Sequence, residues 1–296
     1  MTALIIYLPP PTAVEEAHTE ATERLPEYHV KARNTSATSE NKIHDDRIAQ
    51  EYGFRGALVP GVTVYAYLTH PLVAAFGAAW LERGTASVRF AKPVHDGEEV
   101  RVAGAVTARD ARGLTATVSA STAAGGECAL LTATLPAGAP VPVNLALYRP
   151  APLPAERPVA TREHWAGLDV LGTPVNPYDD ARAAEYLERV SDGLGLYRGA
   201  RGWAHPGFFL DQANKALSQN ALMSPWIHVG SVVRHLGGAR VGETLATRGR
   251  VRSLFEKKGR QFVEADLVIV AETGARPRPV AHVLHTAIYC LASPAR

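Results

Sequence analysis

Several kinds of residue and pattern are scarce in this chain, and each scarcity removes a class of function. Only two of its 296 residues are cysteine. Cys128 and Cys290 lie far apart in apolar, strand-like surroundings, so two buried free thiols in a reducing compartment are expected rather than a disulfide framework. No Cys–His spacing suits zinc, and there is no Gly-rich phosphate loop and no Gly-x-Ser-x-Gly elbow. His228 and His235 are seven apart in a strand-like run and fall on opposite faces, and His282 and His285 also diverge, which argues against a shared metal. The 31 basic and 29 acidic residues nearly cancel, and no basic run is interleaved with aromatics. That excludes the electrostatic footprint of a nucleic-acid or anionic-membrane partner. The apolar stretch Ala3 to Leu8 lacks a basic flank and ends at Pro9-Pro10-Pro11, too short for a membrane span or a signal core. The expectation is a cytoplasmic protein with a small or neutral partner, no metal and no cofactor.

What is present is a long chain with 46% apolar residues, enough for two modest cores or one large one. Residues 1–25 are Pro- and Glu-rich and read as a frayed arm with a short helix at Val14–Arg24. Tyr28 to Asn34 alternates like a strand, and Asp45 or Asp46 can cap a short helix that Gly53 ends. Pro60-Gly61 opens a longer helix with Val64, Leu68, Leu72, Val73 and Phe76 at helical spacings. Strand-like runs follow at Ala86–Pro93, Glu98–Asp110 and Leu114–Thr134, with turns at His95-Asp96-Gly97, Asp110–Gly113 and Ala124-Gly125-Gly126.

This order then recurs. Pro206-Gly207 opens a second apolar helix, Phe208 to Leu217, displaced from Pro60-Gly61 by 206 − 60 = 146 residues. Val241-Gly242-Glu243 matches Asp96-Gly97-Glu98 at 242 − 97 = 145, and a constant offset across helix and strands marks a duplicated unit. Upstream, Pro177-Tyr178-Asp179-Asp180 answers Ile43-His44-Asp45-Asp46 at 178 − 44 = 134, which implies an insertion of about a dozen residues in the second copy. The reading is a first unit at 26–137, a Pro-rich connector at 138–158, and a second unit at 159–296.

One segment is chemically specific: Asn41-Lys42-Ile43-His44-Asp45-Asp46, then Ala49, Gly53-Phe54 and Leu58-Val59-Pro60-Gly61. It resembles the signature of the MaoC-like family, the (R)-specific enoyl-CoA hydratases and related acyl dehydratases, which reads roughly D-x-N-P-[LIV]-H-x-D. Asn41, Ile43, His44, Asp46, Ala49, Gly53, Phe54 and Gly61 match in type and order. Two positions depart from it, because Ser39 stands where the family carries its catalytic Asp, and Lys42 stands where it has Pro. The resemblance implies an α+β double hot dog, in which antiparallel sheet wraps a central helix in each unit. Two fused units can pair their open sheet edges, so a monomer is feasible, and a homodimer is compatible with the sequence.

The resemblance also implies chemistry: hydration of a 2-enoyl thioester, or dehydration of a 3-hydroxyacyl thioester, carried on CoA or acyl-carrier protein. His44 would move the proton, Asn41 would shape the loop, and a backbone amide at Gly61 or Val62 would polarise the thioester carbonyl. Ser39 can position water but cannot act as a base at neutral pH. Glu40 is adjacent but out of register, and Asp46 is expected to cap the short helix rather than to assist catalysis.

A second constellation, Trp203 to Gln212, looks loosely like the β-hydroxyacyl carrier-protein dehydratases, with His205 before the helix and Asp211 on it. Both could face a tunnel between the units, with Asn214 and Gln212 lining a polar pocket. The simpler reading makes His205 a staple residue and Asp211 a solvated helix position. Lys257, Lys258 and Arg260 read as a solvated hairpin turn, with contact to CoA phosphates as the alternative. Because Ser39 replaces an acid, two further alternatives stay open: a catalytically degenerate acyl-binding subunit, and different chemistry on the same fold, such as thioester hydrolysis or dehydration of a non-thioester metabolite.

Overall fold

A computed structural model describes residues 23–274 and 276–291. Most of the helix expected at Val14–Arg24 therefore lies outside the described residues. Within them, the chain does not fray up to residue 25: Leu25 is buried and its N–H donates to Gly104 at 2.9 Å.

The first unit runs β1 (Tyr28–Lys31), a 3-10 turn (Lys42–His44), α1 (Asp46–Glu51), α2 (Gly61–Arg83), β2 (Thr85–Phe90), β3 (Glu99–Asp110), β4 (Gly113–Thr122) and β5 (Gly126–Pro136). The connector holds a 3-10 turn at Leu145–Leu147, and α3 (Arg162–Ala166) follows it. The second unit then runs β6 (Val175–Tyr178), α4 (Asp180–Val190), α5 (Pro206–Ser218), β7 (Ile227–His235), β8 (Glu243–Lys257), β9 (Arg260–Ala271) and β10 (Arg278–Cys290). Asp45 caps α1 and Asp179 caps α4, each through a side-chain oxygen. The second copy's extra length lies in the longer α4 and in a 3-10 turn at Gly195–Tyr197.

Among the described residues, all strands join one ten-stranded antiparallel sheet in the order β1-β3-β4-β5-β2-β7-β10-β9-β8-β6. The order is a palindrome of the two units, with its centre where β2 pairs with β7, from Thr85 opposite Arg234 to Arg89 opposite Gly230. The edge each unit would leave open is thus closed by the other. The outer edges are β1 and β6, four residues each, and Pro177 in β6 further discourages pairing with another chain.

In β4 the inward positions Leu114, Ala116, Val118 and Ala120 alternate with Thr115, Thr117, Ser119 and Ser121, the pattern of a half-buried strand. β9 is buried on both faces because the connector lies over it: Tyr148 packs on Val268 and Val270, and its hydroxyl donates to Asp266 at 2.9 Å. Inside the sheet, α2 and α5 pack together at Gly207, where a Cβ would come within 2.8 Å of the Ala66 methyl and 2.4 Å of the Tyr186 hydroxyl. α2 is long and apolar enough to cross a membrane, but 61% of its most apolar stretch is buried, as befits a central helix. Of the two thiols, Cys128 is buried but Cys290, the last residue of β10, is exposed, contrary to the sequence reading.

Candidate functional site

The motif loop is built around Ile43, which is buried with Ala49 and Leu58 and anchors the 3-10 turn, so that the next residue, His44, turns into a cavity. His44 Nδ1 lies 2.7 Å from Leu58 O. A carbonyl can only accept, so Nδ1 carries the proton and Nε2 keeps its lone pair. Asn41 Nδ2 approaches that lone pair at 3.3 Å. Asn41 is itself held across the molecule, donating to Trp226 O at 3.0 Å and accepting from Trp226 N at 3.1 Å. Burial lowers the His44 pKa below 6.5, with the Leu58 carbonyl opposing, so the ring is neutral at neutral pH.

Lys42, in the place where the resembled pattern has proline, has an N–H that proline would lack, and it donates to Ser224 Oγ at 3.1 Å. Ser224 Oγ donates to Glu40 O at 3.0 Å, so this departure ties the first unit's loop to the second. Glu40 points outward in a bidentate pair with Arg157 at 2.8 and 3.1 Å, which lowers its carboxyl pKa. Among the described residues, Ser39 Oγ reaches only Asn41 O, at 3.4 Å. Asp46 does not cap α1, as Asp45 does; its Oδ1 accepts from Ala57 N at 2.8 Å and pins the strand of chain leading to Pro60.

At the start of α2, Thr63 and Val64 donate to Pro60 O at 2.9 and 3.1 Å, while the N–H groups of Gly61 and Val62 have no acceptor among the described residues. Glycine fits closely there, because a Cβ on Gly61 would sit 3.0 Å from His228 Nδ1 and 3.2 Å from the Phe90 ring, so both side chains would have to give way by a few tenths of an ångström.

His44, Asn41, Pro60, Asn214 and Trp226 line both a cavity of about 180 Å³ and an adjoining one of about 190 Å³. The first is walled by apolar side chains such as Phe54, Leu58, Val64, Phe90 and Ile288, with Lys92 and Arg260 also on its wall. Arg260 is exposed beside the β8–β9 hairpin turn, as expected, and it also borders this cavity. The second cavity is lined by Ser39, Glu40 and Asp211. Asp211 is not solvated as expected: its side chain is 15% exposed, and burial raises its pKa despite Arg189 at 3.4 Å.

His205 is fully buried and does not reach either cavity. Its Nδ1 accepts from Gly207 N at 3.0 Å and caps α5, and its Nε2 donates to Asp192 at 3.2 Å. Asp192 also accepts from His70 Nδ1 of α2 at 3.0 Å, so this cluster joins the units rather than serving the site. Tyr178, the counterpart of His44, is buried against Phe208 and accepts from His205 N at 3.3 Å. In the sequence, His228 stands out only beside His235, as half of a metal pair, and Trp226 does not stand out; both line the cavity, which the pairing of distant strands builds. No group of three or more potential metal ligands occurs among the described residues.

No protein-family model and no curated protein matches the sequence. Solved structures do match in fold. A protein from Chloroflexus aurantiacus described as a MaoC domain protein dehydratase aligns over 92% of this chain and 95% of its own, with TM-score 0.63 and 12% identity. A Mycobacterium tuberculosis protein described as having a double hot dog fold aligns over 89% and 96%, with TM-score 0.57 and 14% identity. A protein from Lactobacillus plantarum described as an oleoyl thioesterase aligns over 92% and 98%, with TM-score 0.52 and 12% identity. Together with the palindromic sheet around two central helices, these likenesses show that the chain is a double hot dog protein with the fold of MaoC-like dehydratases.

Proposed function

We propose that the protein is a hydratase or dehydratase of 2-enoyl or 3-hydroxyacyl thioesters, with one site built from both units. The observation that carries this reading is that His44, with its Nε2 lone pair, and Gly61, with its unpartnered amide, line the same largely apolar cavity, while Val62 lines the adjoining one that His44 also borders. In the hydration direction, water takes the place of the long 3.3 Å Asn41 Nδ2 contact at His44 Nε2, which removes a proton from it as the hydroxide oxygen bonds to the β-carbon. The π electron pair moves to the thioester oxygen, where the Gly61 and Val62 amides receive the charge, and the proton on His44 returns to the α-carbon. Asn41 sets the ring, and Ser39 helps hold the water.

The carboxylate missing at Ser39 comes, in this reading, from the other unit. Of the two carboxylates lining the second cavity, Glu40 has both oxygens engaged by Arg157 at 2.8 and 3.1 Å, whereas Asp211 has only the longer contact of one oxygen with Arg189 at 3.4 Å among the described residues, which favours Asp211. Its raised pKa suits a group that shares a proton with His44 and water. Lys92 and Arg260 on the wall of the first cavity suit the phosphates of CoA or a phosphopantetheine arm.

The test is crotonyl-CoA hydration, followed by loss of the enoyl absorbance. His44→Ala should lower turnover about 10²–10⁴-fold while moving the melting temperature by only a few degrees, and Asp211→Asn should lower it at least about tenfold. Release of free thiol from butyryl-CoA without any hydration would replace this reading with thioester hydrolysis, and binding without either reaction would leave an acyl-binding subunit.

A further inference from the structure

The cavity holds a second histidine that the reaction above does not use. His228 on β7 is buried; its Nε2 lies 2.8 Å from Ser231 Oγ, and its Nδ1 is buried with no partner among the described residues. Ser231 Oγ lies 2.9 Å from His285 Nδ1, and His285 Nε2 lies 2.9 Å from the side-chain amide of Asn214. His228 and Asn214, the two ends of this chain, both line the cavity. Nδ1 of His228 sits at the start of α2, 3.0 Å from where a Cβ on Gly61 would be.

The hydrogens of this chain can be arranged in two ways that pair every one of them, because each neutral ring has one N–H and the serine one O–H; a third, with both rings donating to Ser231, would leave the buried hydroxyl hydrogen with no acceptor among the described residues. In the first, His285 Nε2–H donates to the Asn214 oxygen, Ser231 donates to His285 Nδ1, and His228 Nε2–H donates to Ser231, so His228 Nδ1 is bare. In the second, the Asn214 NH₂ donates to His285 Nε2, His285 Nδ1–H donates to Ser231, and Ser231 donates to His228 Nε2, so His228 Nδ1 carries a proton. Asn214 has no other hydrogen-bond partner among the described residues, and its amide is free to turn between the two. Burial pushes the His228 pKa down to about 3 and that of His285 well below the ordinary value, so both rings stay neutral and the two-way count holds.

We propose that His228 donates through Nδ1–H to the thioester carbonyl oxygen, beside the Gly61 and Val62 amides, and that Asn214 sets its tautomer through His285 and Ser231. This inference rests on the thioester reading above. A carbonyl oxygen at His228 selects the second arrangement, which leaves the Asn214 oxygen facing the cavity as an acceptor. The chain therefore reads both ends of a ligand, a carbonyl at one and a hydroxyl or water at the other, which favours a 3-hydroxyacyl thioester over a plain acyl thioester. A neutral imidazole in this role polarises the carbonyl without surrendering its proton.

Two measurements on the full chain test it. The first is kinetic. His228→Asn puts an amide N–H near the Nδ1 position, whereas His228→Gln reaches towards Ser231 and leaves the carbonyl without that donor. His228→Gln should lower kcat for crotonyl-CoA about 10²-fold with little change in KM, and His228→Asn should recover most of the loss. The second is nitrogen-15 spectroscopy of histidine-labelled protein, which reads each ring's tautomer without turnover. The rings of His228 and His285 should always share one tautomer, and saturating butyryl-CoA should place the proton on Nδ1 of both. Opposite tautomers, a bare His228 Nδ1 with butyryl-CoA bound, or a His228→Gln enzyme within about threefold of wild-type kcat would overturn the proposal. If butyryl-CoA binds but no thioester is turned over, the hydratase reading fails while the tautomers still decide this one. A protein that does not bind butyryl-CoA at all would sink both, and should His228→Gln fail to fold, the wild-type tautomers decide.

Discussion

Asn41 and Trp226 are joined by a two-way hydrogen bond across 185 residues of chain, side-chain amide to main chain, with Nδ2 donating at 3.0 Å and Oδ1 accepting at 3.1 Å. Because Oδ1 must face an N–H, the amide is locked with its NH₂ edge towards His44. The first unit's motif is therefore oriented by the second unit's backbone.

Asn41→Ala should therefore affect stability and chemistry together. It leaves the buried Trp226 amide and carbonyl unpaired, at a cost of about 1–3 kcal/mol for each, and it leaves the His44 ring held by Leu58 O alone. Chemical denaturation should show the lower stability, and hydration assayed well below the new melting point should still be reduced at least about tenfold. A variant that loses stability but keeps full turnover would separate the clamp from the chemistry.

The pH profile should rise from the acid side and then level off. His44 must be neutral to act as a base, and burial lowers its pKa below 6.5, so kcat/KM should fall only as the pH drops through a value under 6.5. Above that value the profile should be flat across neutrality. An inflection above 7 would assign the limb to another group.

Asp192 makes a different pH prediction, one of stability. Burial alone would raise its carboxyl pKa, but hydrogen bonds from His205 and His70 overcome that and hold it well below the usual carboxylate range. A depressed folded-state pKa contributes stability that is present above the unfolded value of about 4 and is lost progressively as the pH falls below it. Asp192→Asn should therefore melt lower than wild type at pH 7, and the two curves should converge below about pH 4. A constant gap down to pH 2.5 would mean the carboxylate charge does not contribute.

Much of this was legible in the sequence, and the boundary has a physical cause. Ile43, His44 and Gly61 could be placed because their roles depend on local geometry: a turn anchored by an apolar residue and a helix start without a capping side chain. The duplication was visible because a repeat preserves spacing even where it changes chemistry. Asp211 was read as solvated because helix position alone does not say what another unit will lay over it. His228, Ser231 and His285 meet through the pairing of β7 with β10, where His285 lies opposite Ser231, a register no local pattern records. The caps of α1 illustrate the same limit at short range: either Asp45 or Asp46 suited the role, and the chain's return at Ala57 decided between them.

Ser39→Asp tests how far the site has moved from the pattern it resembles. The new carboxylate would enter the cavity shared by His44 and Asp211, where its charge can remain solvated. Crotonyl-CoA hydration should rise, and the effect of Asp211→Asn should shrink in that background, because one acid then substitutes for the other. A folded Ser39→Asp protein that binds acyl-CoA without any gain in hydration would show a pocket that has diverged beyond one residue.

The junction of β2 with β7 has a consequence for inheritance as well as for folding. In a homodimer of single units, every substitution is made twice, and a loop can be changed for one purpose only if the same change is harmless at its mate. Joining the units in one chain lifts that constraint. The loop of the first unit carries the polar ring of His44, while the matching loop carries Tyr178, an interior prop for α5. Each copy can then drift independently, provided that the seam between them still closes.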